Sequence, residues 1–164
     1  MKPALLVIDM QKQFFNRGGE TAQSFNRAIE YINAAIALFR EKNLPIIVIE
    51  HKNEVDGLVP GSPGFPTHED IQLRPADVRI TKTYGNAFTK TPIAEMLRSQ
   101  GVDTVIITGF CAEWCVLSTC RGAEDYDFKS ILLRGSLATG WPDRIRFVEE
   151  INEIISYEAL KAML

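Results

Sequence analysis

The sequence predicts an α/β fold, a doubly wound parallel sheet between helix layers, on three observations. Four short apolar runs are nearly continuous rather than alternating: "ALLVI" ending at Ile8, "IIVI" ending at Ile49, "VIIT" ending at Thr108 and "ILL" ending at Leu133. Strands read this way when a parallel sheet buries them on both faces. Stretches with helical spacing separate the runs, and strand–helix alternation argues for a layered α/β sandwich. The chain has 164 residues, 46% of them hydrophobic, with no internal repeat or low-complexity tract. That suits a single domain, read as residues 1–164, with a core of its own and no need of disulfide staples.

After the first run, the glycines at 18 and 19 break what precedes, and Thr21 is a candidate N-cap. Phe25, Ala28, Ile29, Ile32, Ala35, Ile36 and Phe39 then follow the three-four spacing of one helix face. "VRIT", before Lys82, is a weaker strand. Thr91-Pro92 reads as N-cap and first helical position, with Ile93, Met96 and Leu97 facing inward. The segment after Cys115 reads as helix to about Tyr126. Pro142 opens another helix that stops near Asn152. "EIIS" is a short last strand, and Ser156 caps a final helical turn through Leu160.

The longest irregular stretch runs from His51 to Pro75, with prolines at 60, 63, 66 and 75 and glycines at 57, 61 and 64. A loop this long is commonly functional, as a lid or an interface arm; the alternative is an ordered surface loop pinned by its prolines. The net charge is −3, with no basic stripe, so nucleic acid is not expected as a partner. No apolar run approaches the ~20 residues of a membrane span, so no membrane partner is expected. Three cysteines cannot all pair within one chain, and no export signal is visible. Free thiols and a cytoplasmic location are therefore expected.

In parallel α/β sheets, ligands bind beyond the carboxyl ends of the strands. Those positions hold Asp9, then Glu50 and His51, then Lys82, then Gly109 with Cys111 and Cys115. Each alone is weak evidence: a lone Asp is more often a turn residue, a lone Lys a solvated charge, a lone Cys a small buried hydrophobe. Together they place an acid, an ammonium and a thiol on one rim. A helix N-terminus and the Lys82 ammonium would both lower the pKa of Cys115. Asp9 would take the thiol proton and pass it to a leaving group. Backbone N–H groups between Cys111 and Cys115 would hold an oxyanion. This chemistry is that of a nucleophilic hydrolase acting on an amide, imide or similar carbon electrophile.

"LLVIDMQKQF" resembles the opening strand of the isochorismatase-like cysteine hydrolases, and "KTYGNAFTKTPIAEMLRSQGVDTVIITGFCAEWCVLSTCRGA" resembles their central block. The resemblance spans nearly the whole chain. It implies a six-stranded parallel sheet in the order 3-2-1-4-5-6 and a triad of Asp9, Lys82 and Cys115. It further implies a cis peptide between Phe110 and Cys111, oxyanion donors at the backbone of Cys111 and Cys115, and a homodimer or larger homo-oligomer. Gln11, Phe14, Phe88 and Trp114 match or adjoin pocket positions of the family, with core packing an equal alternative for Phe88; the position of His51 suggests a pocket residue, the alternative being a strand-end polar residue with no role. Cys120 is left to the core.

The long loop looks like that of the uncharacterised cysteine-hydrolase branch. The chain departs from the family's nicotinamidases, which carry an Asp-x-His metal motif after the second strand. Here that region reads "IEHKNEVDG", and His51 and His68 are the only histidines. No metal and no cofactor are expected, and the substrate is expected to be a small amide, imide or carbamoyl compound. Glu69 or His68 could serve in the loop or at a neighbouring subunit. The rival readings are vinyl ether hydrolysis of the isochorismatase type and a non-catalytic binding or assembly module. A redox or zinc role for the cysteines ranks below these, since the spacings are C-x3-C and C-x4-C.

Overall fold

A computed structural model describes residues 1–15 and 18–164. Strands β1 (Pro3–Ile8), β2 (Ile46–His51), β3 (Val78–Lys82), β4 (Thr104–Phe110), β5 (Lys129–Ala138) and β6 (Ile154–Ile155) form one sheet. Its order is β3-β2-β1-β4-β5-β6, and every pairing is parallel. The order reverses between β1 and β4, the switch point at which doubly wound sheets open a crevice.

The apolar runs are continuous because both faces of the central strands are covered: every residue of β1 and β4 is buried. Successive side chains point to opposite faces. Leu6, Ile8, Val105 and Ile107 pack with Leu97 of α3 (Ile93–Ser99) and with Cys120 and Ala123 of α4 (Leu117–Asp125). Leu5, Val7 and Ile106 pack against Phe25, Ile32, Ile36 and Phe39 of α2 (Gly19–Glu41) and Leu160 of α6 (Tyr157–Met163). The remaining helices are α1 (Lys12–Phe15) and α5 (Pro142–Glu150). "VRIT" reads weakly because β3 is the sheet edge, exposed over most of its length.

Several boundaries differ from the sequence reading. Helix α2 starts at Gly19 with Gly18 at the cap position, not at Thr21; Gly18 and Gly19 both have positive φ, so the turn is made by their backbone rather than by a hydroxyl cap. Helix α3 starts one residue late, because the Thr91 hydroxyl donates to the Ala87 carbonyl instead of capping. Ser156 caps α6 by accepting from the Ala159 N–H, but the helix continues past Leu160 to Met163. Strand β5 runs beyond Leu133 to Ala138, through a register shift against β4. The segment after β4 is not plain α-helix: it opens with a π-helical turn, Ala112–Val116.

The long loop is packed down. Leu58, Phe65 and Ile71 are buried in the α2-side core. Gln11 brackets the loop to the sheet: its amide nitrogen donates to the carbonyls of His51 and Phe65, and its amide oxygen accepts from the His51 N–H at 2.7 Å.

Candidate active site

Two adjacent strand ends create the site. Gly109, near the end of β4, has φ 113 and pairs with Ile8; a Cβ there would fall on the Ile8 carbonyl. Only glycine allows that approach. Next to it, Asp9 leaves β1 with φ 50, a left-handed conformation that Asp tolerates better than most residues. The Phe110–Cys111 peptide is cis, and the π-helical turn that follows carries Cys115. The strand ends thus bring Asp9 and Cys115 together, 106 positions apart in the sequence.

Lys82, at the end of β3, reaches between them. Its side chain is fully buried, and its ammonium has four partners. They are Asp9 Oδ2 at 2.8 Å, His51 Nδ1 at 3.1 Å, the Tyr84 carbonyl at 3.1 Å and Cys115 Sγ at 3.3 Å. An ammonium can only donate, so His51 Nδ1 accepts and Nε2 carries the ring proton. Asp9 Oδ1 is buried, and no hydrogen bond to it is found among the described residues.

Burial sets the protonation states. It raises Asp9 above its usual carboxylate value, against the opposing pull of Lys82. It lowers His51, with Lys82 adding repulsion, so the imidazole is held neutral. Burial, reinforced by the Asp9 charge, pushes the Cys115 thiol up to about 12, and Lys82 does not offset it. This corrects the expectation of an acidic thiol. The helix terminus and the ammonium are outweighed by desolvation and the neighbouring carboxylate. At pH 7 such a thiol rests protonated.

Asp9 and Cys115 open into a cavity of about 780 Å³. Phe14, His51, Cys111 and Trp114 also line it. Gln11 and Phe88, read as pocket residues, do not. Gln11 is the fully buried bracket of the loop, and Phe88 is core, stacked on Phe128 at 5.8 Å. Cys120 is fully buried in the core. His68 stacks on Phe15 at 4.0 Å, and Glu69 pairs with Lys12 at 2.8 Å.

The sequence reading missed Asp56, Glu113 and Trp141, which also line the cavity. Glu113 Oε2 accepts from Thr139 Oγ1 at 2.7 Å and from Cys111 Sγ at 3.0 Å, and Oε1 accepts from Arg144 at 2.7 Å. Burial opposes its ionisation, but these donors and its own N–H together hold it below the usual value. The same contact works the other way on Cys111, pushed up to about 12 by burial and then by Glu113. Trp141 was hidden because Arg134-Gly135-Ser136 interrupts the apolar run of β5. The true strand end lies at Ala138, and the rim residues follow it.

Asp9, His51 and Cys115 offer an oxygen, a nitrogen and a sulfur within 4.8 Å of one another, a donor set that could suit a metal ion. The Lys82 ammonium already bonds to all three, so the place a cation would take is filled by the chain's own charge.

The Isochorismatase domain signature matches residues 3–144. The uncharacterised isochorismatase family protein YrdC of Bacillus subtilis is 30% identical over 139 residues, covering 84% of this chain and 74% of that protein. Maleamate amidohydrolase of Pseudomonas putida is 27% identical over 150 residues, covering 81% of this chain and 70% of that enzyme. The crystal structure of N-carbamoylsarcosine amidase from Thermoplasma acidophilum superposes with a TM-score of 0.82 at 23% identity, covering 96% of this chain and 98% of that one. The fold is therefore isochorismatase-like, and the chain belongs to the isochorismatase family.

Proposed function

We propose that the protein is a cysteine amidohydrolase in which Cys115 is the nucleophile, Asp9 the proton carrier and Lys82 the fixed positive charge. The observation that carries this reading is the buried Lys82 ammonium, bonded at once to Asp9 Oδ2 and Cys115 Sγ, two residues that line the cavity. A structural ion pair would need no thiol and no opening to solvent. Relatives named as amidohydrolases support the reaction class.

The resting thiol is protonated, so Asp9 removes its proton as the sulfur attacks the amide carbon. The carbonyl oxygen becomes an oxyanion, held by the backbone N–H groups of Cys111 and Cys115. Asp9 returns the proton to the nitrogen, the C–N bond breaks, and ammonia or an amine leaves a thioester on Cys115. Water then attacks the thioester carbon, Asp9 takes its proton, and the acid departs as the sulfur regains a proton. Lys82 stabilises the transient thiolate throughout. The substrate is a small amide or carbamoyl compound.

The test is intact-mass spectrometry during turnover of a panel of small primary amides, with ammonia release followed in parallel. An acyl adduct on the Cys115 peptide supports the reading. Ammonia release that survives Cys115→Ala would end it.

A further inference from the structure

Among the described residues, the charges that line the cavity do not cancel. Asp9 is answered by Lys82, and Glu113 by Arg144. Burial keeps His51 from ionising readily. Asp56 remains. Among the described residues no ion pair joins it to a cation, and the neighbouring Lys52 is taken by Glu54 at 2.7 Å. The Asp56 carboxylate is nevertheless fixed. Asn53 Nδ2 donates to Asp56 Oδ2 at 2.6 Å, and Asn53 Oδ1 accepts from the N–H groups of Val55 and Asp56 at 3.0 and 3.4 Å. A tight turn therefore holds a negative charge in the cavity wall that no cation among the described residues pairs with.

Two indole rings line the same cavity. Trp114 is 65% exposed and Trp141 62%, a large apolar area to leave in water. Aromatic faces attract cations. Trp141 already does so, with the Arg144 guanidinium 5.0 Å from its ring centre. Arg144 is also tied to Glu113, so a carboxylate seeking it would have to break both contacts.

We propose that the site selects amides whose tail carries a positive charge, such as an alkylammonium, with Asp56 as the specificity-determining residue and Trp114 and Trp141 as the walls that receive the cation. This rests on the amidohydrolase reading of the site. An ammonium tail gains a carboxylate and ring faces, and an anionic tail meets the Asp56 carboxylate. Asp56 is solvent-exposed, and one charge at such a wall is worth roughly tenfold in affinity. Maleamate, the named substrate of one relative, is an anion. The selectivity proposed is thus of opposite sign.

The test uses three amides of similar length: 4-aminobutanamide, pentanamide and succinamate, which are cationic, neutral and anionic at pH 7. Two readouts are taken: kcat/KM for ammonia release, and protection of Cys115 from iodoacetamide, which needs no turnover. The expected order in both is cation, neutral, anion, with roughly tenfold between neighbours. Asp56→Asn should shrink the cation-to-anion ratio at least tenfold, and Asp56→Lys should invert it. Succinamate equal to or better than the cation, or a ratio untouched by Asp56→Asn, overturns the proposal while leaving the amidohydrolase reading standing. Protection in the expected order without ammonia release from any amide would sink the amidohydrolase reading and keep the charge selectivity.

Discussion

His51 Nδ1 lies 3.1 Å from the Lys82 ammonium, and this contact fixes the imidazole as the Nε2–H tautomer. Protonating the ring would set two cations side by side, so burial and Lys82 together lower its pKa below 6.5. Nitrogen-15 NMR should find Nε2 protonated at pH 7 and a titration midpoint below 6.5. The sign follows: the unfolded chain binds this proton first, so His51 costs stability as pH falls from 6.5 through its folded value. A midpoint above 6.5, or an Nδ1–H tautomer, would contradict the geometry.

Replacing the sulfur should separate chemistry from folding. Cys115→Ala removes one half-buried atom from a cavity wall and should change stability by no more than ~1 kcal/mol. It should lower kcat by about 10^3-fold or more. Steady-state assays beside urea unfolding curves check both halves.

The Lys82–Asp9 pair should matter to folding as well as to catalysis. Lys82→Met leaves Asp9 buried without its counter-charge, which costs about 3–5 kcal/mol. Asp9 then keeps its proton further above 3.8 than in the wild type, because burial already raises it. The folded state holds a proton that the unfolded state releases. Stability of this variant should therefore fall as pH rises above 3.8, by about 1.4 kcal/mol per unit until the folded pKa is passed. Urea unfolding at pH 4, 5.5 and 7 tests it; a flat profile would mean that the carboxylate finds another partner.

With its thiol pushed up to about 12, Cys115 of the free enzyme should alkylate with iodoacetamide at pH 8 more slowly than free cysteine. The rate should rise with pH beyond 9. A fast reaction at pH 6, read by peptide mass spectrometry, would mean that Lys82 outweighs burial and Asp9.

Phe88 and Trp114 should behave oppositely. Phe88→Ala empties a core position that is 1% exposed and should cost about 3–5 kcal/mol. Trp114→Ala, at a ring 65% exposed, should cost under ~1 kcal/mol. It should also raise KM several-fold for the amide that the enzyme turns over. Thermal denaturation and kinetics of the two variants distinguish wall from core.

The sequence by itself determined the layered sheet, because strands buried on both faces must be continuously apolar, and Ile8, Ile49, Thr108 and Leu133 mark such runs. It also brought Asp9, Lys82 and Cys115 to one rim, because parallel strands end on the same edge. Strand order and the proposed triad followed from family motifs rather than from periodicity. Tertiary structure decided the rest. Phe14 and Phe88 look alike as letters, yet one faces the cavity and the other the core. Gln11 became a bracket because loop carbonyls at His51 and Phe65 needed a donor. The state of the Cys115 proton depends on how burial, Asp9 and Lys82 balance at one point in space. Those terms come from residues 33 and 106 positions away in the chain, and electrostatic energy follows distance through space, not separation along the sequence.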